Sequence, residues 1–268
     1  MNLEEKYEQL KEIIADLGQI VIGFSGGVDS SLLAQVSYDV LGDDALAVTA
    51  KAPIYAQSEI EQAQKMAEEI GINHQVVSIE ADLMAVVKDN PTDRCYHCKK
   101  TIFSQVKDFA GDRPVADGTN VDDLGDYRPG MKAIDELDVY SPLKEAGLNK
   151  TEIRQLSQQL GLSTWDFPSI TCLATRFPYG EEITAEKLEL LEAAEEYLFG
   201  LGFEQLRVRY HGDLARIEVA PKERIKFFAE DKLDQINQKL QELGFEYVTM
   251  DLGGYQTGKM NKSIEEEK

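Results

Sequence analysis

The cysteines of this chain are the residues whose types and spacing most suggest chemistry. Cys95 and Cys98 form a C-x-x-C pair in "TDRCYHCKKTIF", and Cys172, the only other cysteine, lies in "PSITCLATRFPYG". Three cysteines in 268 residues do not indicate the disulfide framework of a secreted protein. The pattern predicts free thiols with a chemical role or inert buried ones.

The thiols are compatible with several kinds of site. A redox C-x-x-C pair usually opens a helix after a strand, whereas this pair follows the polar stretch "KDNPTDR". A structural zinc site needs four ligands, and His97 is a candidate in the same loop, although it lies awkwardly close to both thiols. Three thiolates can also hold a [4Fe–4S] cluster and leave one iron open to hydrosulfide, a sulfur nucleophile. Packing without chemistry is the remaining alternative.

A second stretch with chemical potential is "FSGGVDSSLL", at residues 24–33. A Ser-Gly-Gly turn follows an apolar run and precedes Asp29 and Ser30, which open a helix. Glycines let backbone N–H groups turn inward, and the helix N-terminus adds partial positive charge, so the stretch predicts an anion cradle. It has neither the Gly-Lys-Ser/Thr of a Walker A loop nor the G-x-G-x-x-G dinucleotide fingerprint. A plain glycine turn before a capped helix is the alternative.

The elements that must position these residues alternate along the first half of the chain. The apolar patterns predict helices at about 3–17, 29–41 and 57–70, and strands at 19–25, 45–50, 74–80 and 113–120. Short apolar strands separated by helices predict βαβ units and a parallel sheet covered on both faces. Ligands of such sheets bind at the carboxyl ends of the strands, where the glycine turn lies.

Charge and hydropathy bear on the partners. The chain has 28 basic and 49 acidic residues, a net charge of −21. Such a surface repels polyanions, so we expect no nucleic-acid partner. No apolar run reaches the roughly 18 residues of a membrane span, and the acidic, amphipathic N-terminal stretch does not resemble a signal peptide. We therefore expect no membrane association and a cytoplasmic location.

The second half of the chain offers basic residues on a strand. In "LRVRYHGDLARIE" (206–218), alternation places Arg207 and Arg209 on one face, and the turn at 211–213 predicts a hairpin. Paired arginines suit phosphate oxygens, although a solvated edge strand with Arg–Glu pairs is the alternative. A helix at about 184–201 carries several glutamates, which by themselves indicate a solvated face. The domains are predicted at 1–170 and 171–268.

The motif "SGGVDS" resembles the PP-loop of ATP pyrophosphatases. The resemblance implies an α/β fold with a parallel-sheet, Rossmann-like domain of the adenine nucleotide alpha hydrolase type. The helices and the hairpin of the second half of the chain predict a smaller α+β domain after it. It also implies that ATP and Mg²⁺ are used to adenylate a substrate. By this resemblance the phosphates are held by Ser25, Gly26, Gly27, Asp29 and Ser30, with Asp29 also near Mg²⁺, Thr49 at the adenine and Gly118 along the nucleotide.

Five segments in order resemble the LarE family: "GFSGGVDSSL", "DYRPGMKA", "CLATRFPYG", "LRVRYHGDLARIE" and "YVTMDLGGYQTGKMN". LarE proteins are PP-loop sulfurtransferases that convert the carboxylates of pyridinium-3,5-biscarboxylic acid mononucleotide to thiocarboxylates, for the nickel-pincer cofactor of lactate racemase. The resemblance implies a nucleotide-like small-molecule substrate and a homo-oligomer.

The resemblance also implies roles for individual residues. A single-cysteine kind of LarE gives up the sulfur of the residue at the place of Cys172, whereas the three-cysteine kind is similar to cluster-dependent thiolases fed by a sulfide donor. We therefore expect Cys95, Cys98 and Cys172 to hold a [4Fe–4S] cluster. The remaining implied residues are Arg176, Arg207 and Arg209 for the substrate phosphate and Glu195 for sulfur transfer.

Two other functions share the superfamily. A PP-loop tRNA thiolase would use similar cysteines, but it should show a basic face and an added RNA-binding module, neither of which is visible. An ammonia-dependent PP-loop synthetase would have no use for three cysteines.

Overall fold

The structure of the chain is a computed structural model. It describes residues 1–125, 129–168, 171–229 and 231–256. Within these residues no helix combines the length and the apolar character needed to cross a bilayer. Parts of the segments "DYRPGMKA" and "YVTMDLGGYQTGKMN", and the tail "NKSIEEEK", for which the sequence predicts disorder, lie outside the described residues.

Internal contacts divide the chain into two units. Unit 1 comprises Met1–Val86 and Asp93–Ile170, and unit 2 comprises Val87–Thr92 and Thr171–Lys268. Unit 2 thus includes a short segment from the first half of the chain. The main chain of this segment is bonded within unit 2, because Ile183 N–H donates to the carbonyl of Lys88 at 2.8 Å.

The helices and strands have the following bounds. The α-helices of the described residues are α1 (Leu3–Leu17), α2 (Val28–Leu41), α3 (Gln57–Ile70), α4 (Glu80–Val87), α5 (Arg94–Ala110), α6 (Gly130–Glu136), α7 (Pro142–Glu145), α8 (Lys150–Gln159), α9 (Ala185–Gly200) and α10 (Lys232–Leu243). The strands are β1 (Ile20–Gly23), β2 (Ala45–Lys51), β3 (Asn73–Ser78), β4 (Val115–Ala116), β5 (Leu206–His211), β6 (Leu214–Val219) and β7 (Tyr247–Met250).

Unit 1 is built on a parallel sheet with the order β3-β2-β1-β4. One apolar cluster includes side chains of α1, α2, α3 and α8, and a second includes side chains of α5 and α6. The predicted α/β fold with a covered parallel sheet is confirmed. The chain runs outward from β1 to β3 and then returns to place β4 on the other side of β1. This reversal creates a switch point between β1 and β4, where open α/β sheets bind ligands.

Local signals explain where the helices of unit 1 begin and end. Asn2 caps α1 by accepting the N–H of Glu5, whose carboxylate in turn accepts the N–H of Asn2. Helix α3 ends at Gly71, which has a φ of 82°. These boundaries match the helices that the sequence predicts at 3–17 and 57–70.

Unit 2 contains a three-stranded sheet. Strands β5 and β6 form the predicted antiparallel hairpin, and β7 pairs in parallel with β6. Helix α9 follows the predicted helix closely. The parallel pairing of β7 could not be foreseen from the sequence, because its partner strand is more than twenty residues away and a whole helix intervenes.

Candidate active site

The glycine turn of unit 1 lies directly after β1. Gly26 has a φ of 66°, and a Cβ placed there would lie 2.6 Å from Cα of Ala63 on α3. Because this neighbour is backbone, position 26 requires glycine for both conformation and space. Gly27, at the N-cap of α2, makes no side-chain cap for the helix. The turn therefore places the first N–H groups of α2 at the switch point of the sheet.

Hydroxyl groups organise the turn from within. Oγ of Ser30 accepts the N–H of Ser25 at 3.3 Å and lies 3.1 Å from Oγ of Ser25. Asp29 projects from the first turn of α2, and its Oδ1 accepts from Nδ2 of Asn120 at 3.3 Å. Its Oδ2 accepts from Nζ of Lys150. The turn thus presents one carboxylate beside several backbone and hydroxyl donors.

The loop after β4 closes the other side of the switch point. A Cβ on Gly118 would lie 3.1 Å from the backbone N of Ser30, so glycine permits close approach of the two loops. The buried carboxylate of Asp117 holds the loop by accepting from Thr119 N–H at 3.1 Å and from the hydroxyl of Ser141 at 2.8 Å. The residues predicted to hold the nucleotide phosphates therefore meet Gly118 in one place.

Thr49 lies on β2, two residues before the end of the strand. Its hydroxyl donates to the carbonyl of Phe24 at 2.8 Å and lies 2.8 Å from Nε2 of His74. Because the only hydroxyl proton is used on Phe24, Nε2 of His74 must be the donor to Thr49. Burial lowers the pKa of His74, which favours the neutral ring. The side chain of Thr49 supports the turn, and its contact with adenine stays a prediction.

The C-x-x-C pair occupies the first turns of α5. The sequence suggests a loop here, but the structure shows a helix from Arg94, with Cys95 exposed and Cys98 buried. His97 Nε2 pairs with Oδ2 of Asp93 at 3.3 Å. Among the described residues, no group of three or more His, Cys, Asp and Glu side chains is arranged to hold a metal ion. This arrangement therefore gives no support to the zinc alternative, and the [4Fe–4S] cluster stays a prediction.

Helix α5 contacts the loop after β4. Lys99, one turn beyond Cys95, donates from Nζ to Oδ2 of Asp117 at 3.3 Å. A Cβ on Gly130, the first residue of α6, would lie 2.9 Å from the side chain of Lys99 and 3.2 Å from the carbonyl of Cys95. The same carboxylate that shapes the loop after β4 thus also contacts the helix that bears the cysteine pair.

In unit 2, Cys172 precedes a 3₁₀ turn, Leu173–Arg176, and its carbonyl is firmly held. It accepts from Thr175 N–H at 3.0 Å, from the Thr175 hydroxyl at 2.9 Å and from Nη1 of Arg176 at 3.0 Å. Nη1 of Arg176 also donates to the carbonyl of Thr171 at 2.6 Å. The guanidinium therefore holds the carbonyl groups of the two peptide bonds on either side of Cα of Cys172.

Glu195 anchors that guanidinium. Its two oxygens accept from Nε and Nη2 of Arg176 at 2.9 and 2.8 Å, and both side chains are buried. Oε1 also accepts the N–H of Val208 on β5 at 2.8 Å. The sequence suggests a solvated face for the glutamates of α9, but for Glu195 this is wrong. Its predicted part in sulfur transfer stays a prediction.

The arginines of β5 are buried rather than solvated. Arg209 donates to Oε2 of Glu218 from Nε and Nη2, at 3.0 and 2.9 Å. Arg207 lies 5.1 Å from the ring centroid of Tyr255. Burial, and next the positive charge of Arg176, lower the pKa of Arg207. The phosphate contacts of Arg207 and Arg209 stay predictions.

Comparison with known proteins decides the family. A family model described as NAD synthase matches residues 3–105, which include the glycine turn and the C-x-x-C pair. The pyridinium-3,5-bisthiocarboxylic acid mononucleotide synthase of Lactiplantibacillus plantarum is 40% identical over 266 residues, which cover 98% of this chain and 96% of that protein. This chain belongs to the LarE family, which includes that synthase.

Other relatives match along nearly the same length. An uncharacterized protein of Synechocystis is 46% identical over 265 residues, covering 98% of this chain and 99% of that protein. An uncharacterized protein of Methanocaldococcus jannaschii is 31% identical over 259 residues, covering 96% and 95%. The likeness therefore extends over both units and not only over the phosphate loop.

In each unit, some residues that sequence reasoning missed contact the predicted site residues of that unit. Thr175, Glu218, Asn120 and Lys150 each bond to one of the predicted site residues. The hairpin places Glu218 opposite Arg207 in the strand register, so a contact with an arginine of β5 could have been predicted. The structure pairs Glu218 with Arg209 instead. Lys150 had none, since only the fold brings the start of α8 to the phosphate loop.

Proposed function

We propose that this LarE-family chain is an ATP-dependent sulfurtransferase that converts the carboxylates of pyridinium-3,5-biscarboxylic acid mononucleotide to thiocarboxylates, for the nickel-pincer nucleotide cofactor. The observation that carries the proposal is the 40% identity to the L. plantarum synthase over nearly the whole chain. The anion cradle at the switch point of the sheet supports the use of ATP. Asp29 offers Mg²⁺ the carboxylate oxygen that this ion prefers.

The reaction has two steps. A substrate carboxylate oxygen attacks the α-phosphorus of ATP, the bond to the β-phosphate oxygen breaks, and pyrophosphate leaves. A sulfur nucleophile then attacks the carboxyl carbon of the adenylate and expels AMP, which leaves a thiocarboxylate. The cradle residues would hold the triphosphate during the first step, and Arg176, Arg207 and Arg209 are proposed to hold the substrate phosphate.

For the sulfur source, we propose that Cys95, Cys98 and Cys172 bind a [4Fe–4S] cluster. The three cysteines of the chain supply three thiolates, and thiolates are the usual ligands of such clusters. When bound, the cluster would supply an iron site for hydrosulfide taken from an external sulfide donor. The alternative is that Cys172 gives up its own sulfur and becomes dehydroalanine.

Anaerobic reconstitution with iron and sulfide separates these sulfur sources. We expect the wild-type chain to bind about four irons per monomer, because three thiolates suffice for one cluster. The Cys95→Ala/Cys98→Ala variant should bind almost none, whereas Thr101→Ala on the same helix should bind like the wild type. Equal iron and acid-labile sulfide in wild type and double variant would reject the cluster, and loss of the mass of H₂S from Cys172 after turnover would show sacrifice of that thiol.

Release of pyrophosphate tests the reaction itself. We expect the wild-type chain with Mg²⁺ and ATP to release pyrophosphate when the pyridinium dicarboxylate mononucleotide is added, because its carboxylate is the acceptor of the adenylyl group. The same assay is run with bulk tRNA and sulfide, and with ammonia. Release that depends on tRNA or ammonia instead would indicate a thiolase or a synthetase of the same superfamily and would overturn the proposal.

The proposed location, oligomeric state and partners of the chain are those of the LarE family. We expect a cytoplasmic homo-oligomer that acts on a small nucleotide-like molecule without nucleic acid. The net charge of −21 supports the last point, because such a surface repels a polyanion.

A further inference from the structure

The stretch "DLGGY", residues 251–255, follows β7 in unit 2 and lies along the end of β6. The backbone N–H of Tyr255 donates to the carbonyl of Val219, the last residue of β6, at 2.9 Å. In the hairpin register Val219 lies opposite Leu206. This bond therefore brings Tyr255 to the start of β5, next to Arg207.

A tight turn fixes the main chain before this tyrosine. Oδ1 of Asp251 accepts the N–H of Gly253 at 2.8 Å, and the carbonyl of Asp251 accepts the N–H of Gly254 at 3.0 Å. Arg224 donates from Nη2 to the carbonyl of Gly253 at 3.0 Å. Gly254 has a φ of 68°, and a Cβ there would lie 2.6 Å from the carbonyl oxygen of Val219. Glycine thus allows the turn to approach β6 this closely.

The ring of Tyr255 lies against the guanidinium of Arg207. The central carbon of the guanidinium is 5.1 Å from the ring centroid, within the range of a cation–π contact. Nη1 of Arg207 donates to the carbonyl of Leu206 at 2.6 Å. An aromatic ring contacts the face of a guanidinium, whereas the N–H donors point outward in its plane. The ring therefore orients this group without using the edge that suits phosphate oxygens.

The electrostatic surroundings of Arg207 favour a neutral partner. Its side chain is buried, and the charge of Arg176 is close enough to lower its pKa further after burial. Glu195 has the opposite effect, but its oxygens accept from Arg176 and from the N–H of Val208. The negative face of an aromatic ring stabilises a cation without a formal charge. Tyr255 thus stabilises the guanidinium without the repulsion that a carboxylate would exert on a phosphate.

We propose that Tyr255 is a positioning residue for the substrate phosphate: its ring holds the guanidinium of Arg207 so that the edge N–H groups face the phosphate monoester of the mononucleotide. The proposal rests on the proposed function, which supplies a substrate with this group. It has a selective consequence. Loss of the ring should weaken binding of the mononucleotide, but not binding of the nucleoside that remains when its phosphate is removed.

Calorimetry on the full chain with these two ligands tests the role. Tyr255→Leu should bind the mononucleotide about fivefold more weakly, the effect of one cation–π contact, and should bind the nucleoside like the wild type. Tyr255→Phe should stay within twofold of the wild type for both ligands, because the ring remains. In an Arg207→Met background, Tyr255→Leu should change mononucleotide affinity less than twofold, because the ring acts through Arg207.

The control is Tyr247→Leu on β7. Tyr247 is 57% exposed and pairs in register with Leu214, at the other end of the hairpin from Arg207. Neither affinity should change in this variant. A folding defect would appear in the calorimetric stoichiometry, because unfolded chains lower the number of sites and leave the affinity of the folded ones unchanged.

Several results would overturn the role of Tyr255 while the proposed function stands. They are a change of less than twofold for the mononucleotide in Tyr255→Leu, an equal loss for both ligands, and equal weakening by Tyr255→Leu and Tyr255→Phe. A wild-type chain that binds both ligands equally, or neither, would reject the phosphate contact at Arg207 and this role with it. Pyrophosphate release that does not depend on the mononucleotide would reject the proposed function, and the affinities would still decide the role of Tyr255.

Discussion

Replacing Glu195 with alanine should lower the melting temperature by roughly 6–20 °C, one of the two largest effects that we expect from a single substitution. Glu195 is 5% exposed and holds Arg176, which is 4% exposed, through two hydrogen bonds. Removing one partner of a buried ion pair typically costs about 3–5 kcal/mol, because the other charge is left uncompensated. In a chain of this size each kcal/mol corresponds to about 2–4 °C.

Neighbouring and conservative variants make this prediction specific. Glu196→Ala, at the exposed next residue of α9, should change the melting temperature by no more than about 2 °C. Glu195→Gln should fall between the two, because the amide oxygen can still accept the N–H of Val208 but the charge is gone. Differential scanning calorimetry measures all three, and equal melting temperatures for Glu195→Ala and Glu196→Ala would contradict the argument.

A double-mutant cycle shows whether the cost belongs to the pair. In Arg176→Met/Glu195→Ala the uncompensated charge is absent, so the double variant should be more stable than the sum of the two single effects predicts. It should not regain full stability, because Arg176 also donates to the carbonyls of Thr171 and Cys172. Strict additivity would mean that the two side chains act independently.

The same contacts connect stability to the proposed chemistry in unit 2. Glu195 neutralises the charge of Arg176, and Nη1 of Arg176 donates to the carbonyl of Cys172. Arg209 likewise donates from Nη1 to the carbonyl of Thr175 while Glu218 balances its charge. The buried glutamates thus support the arginines, and the arginines support the turn that carries the thiol.

The parallel sheet and the phosphate loop could be predicted because their signals are local. Apolar strands separated by amphipathic helices define the βαβ order, and the glycine turn follows β1 within two residues. Gly118 lies beside the loop because the carboxyl ends of parallel strands meet at one edge. These inferences need neither side-chain packing nor contacts between distant segments.

The contacts that the sequence could not reveal are long-range. The glutamates of α9 look alike in the sequence, and only the packing of α9 against β5 selects Glu195 for burial. Lys150 reaches Asp29 across 121 residues of chain. The cysteine pair starts a helix although the preceding residues read as a loop, and α6 packs against the first turns of this helix at Gly130.

Replacing Gly26 with alanine should reduce pyrophosphate release on the order of 100-fold, since small displacements of binding groups can cost that much. A Cβ at this position meets Cα of Ala63 at 2.6 Å and its backbone N at 2.9 Å, and neither atom can yield without moving α3. The positive φ of 66° adds a penalty of about 1–2 kcal/mol for a residue with a side chain. The turn must therefore shift, and the N–H groups of the cradle shift with it.

Gly18→Ala is the matched control for this last substitution. Gly18 has a similar φ of 70°, but a Cβ added there would meet nothing within 4 Å, and the residue lies at the end of α1, away from the predicted phosphate-binding residues. It should show the strain of the positive φ as a small loss of melting temperature, with pyrophosphate release unchanged. If Gly26→Ala loses no more activity than Gly18→Ala, the close approach to α3 is not what shapes the cradle. If instead both variants melt alike and only Gly26→Ala loses nucleotide affinity, the steric requirement at Gly26 is a requirement of binding and not of folding.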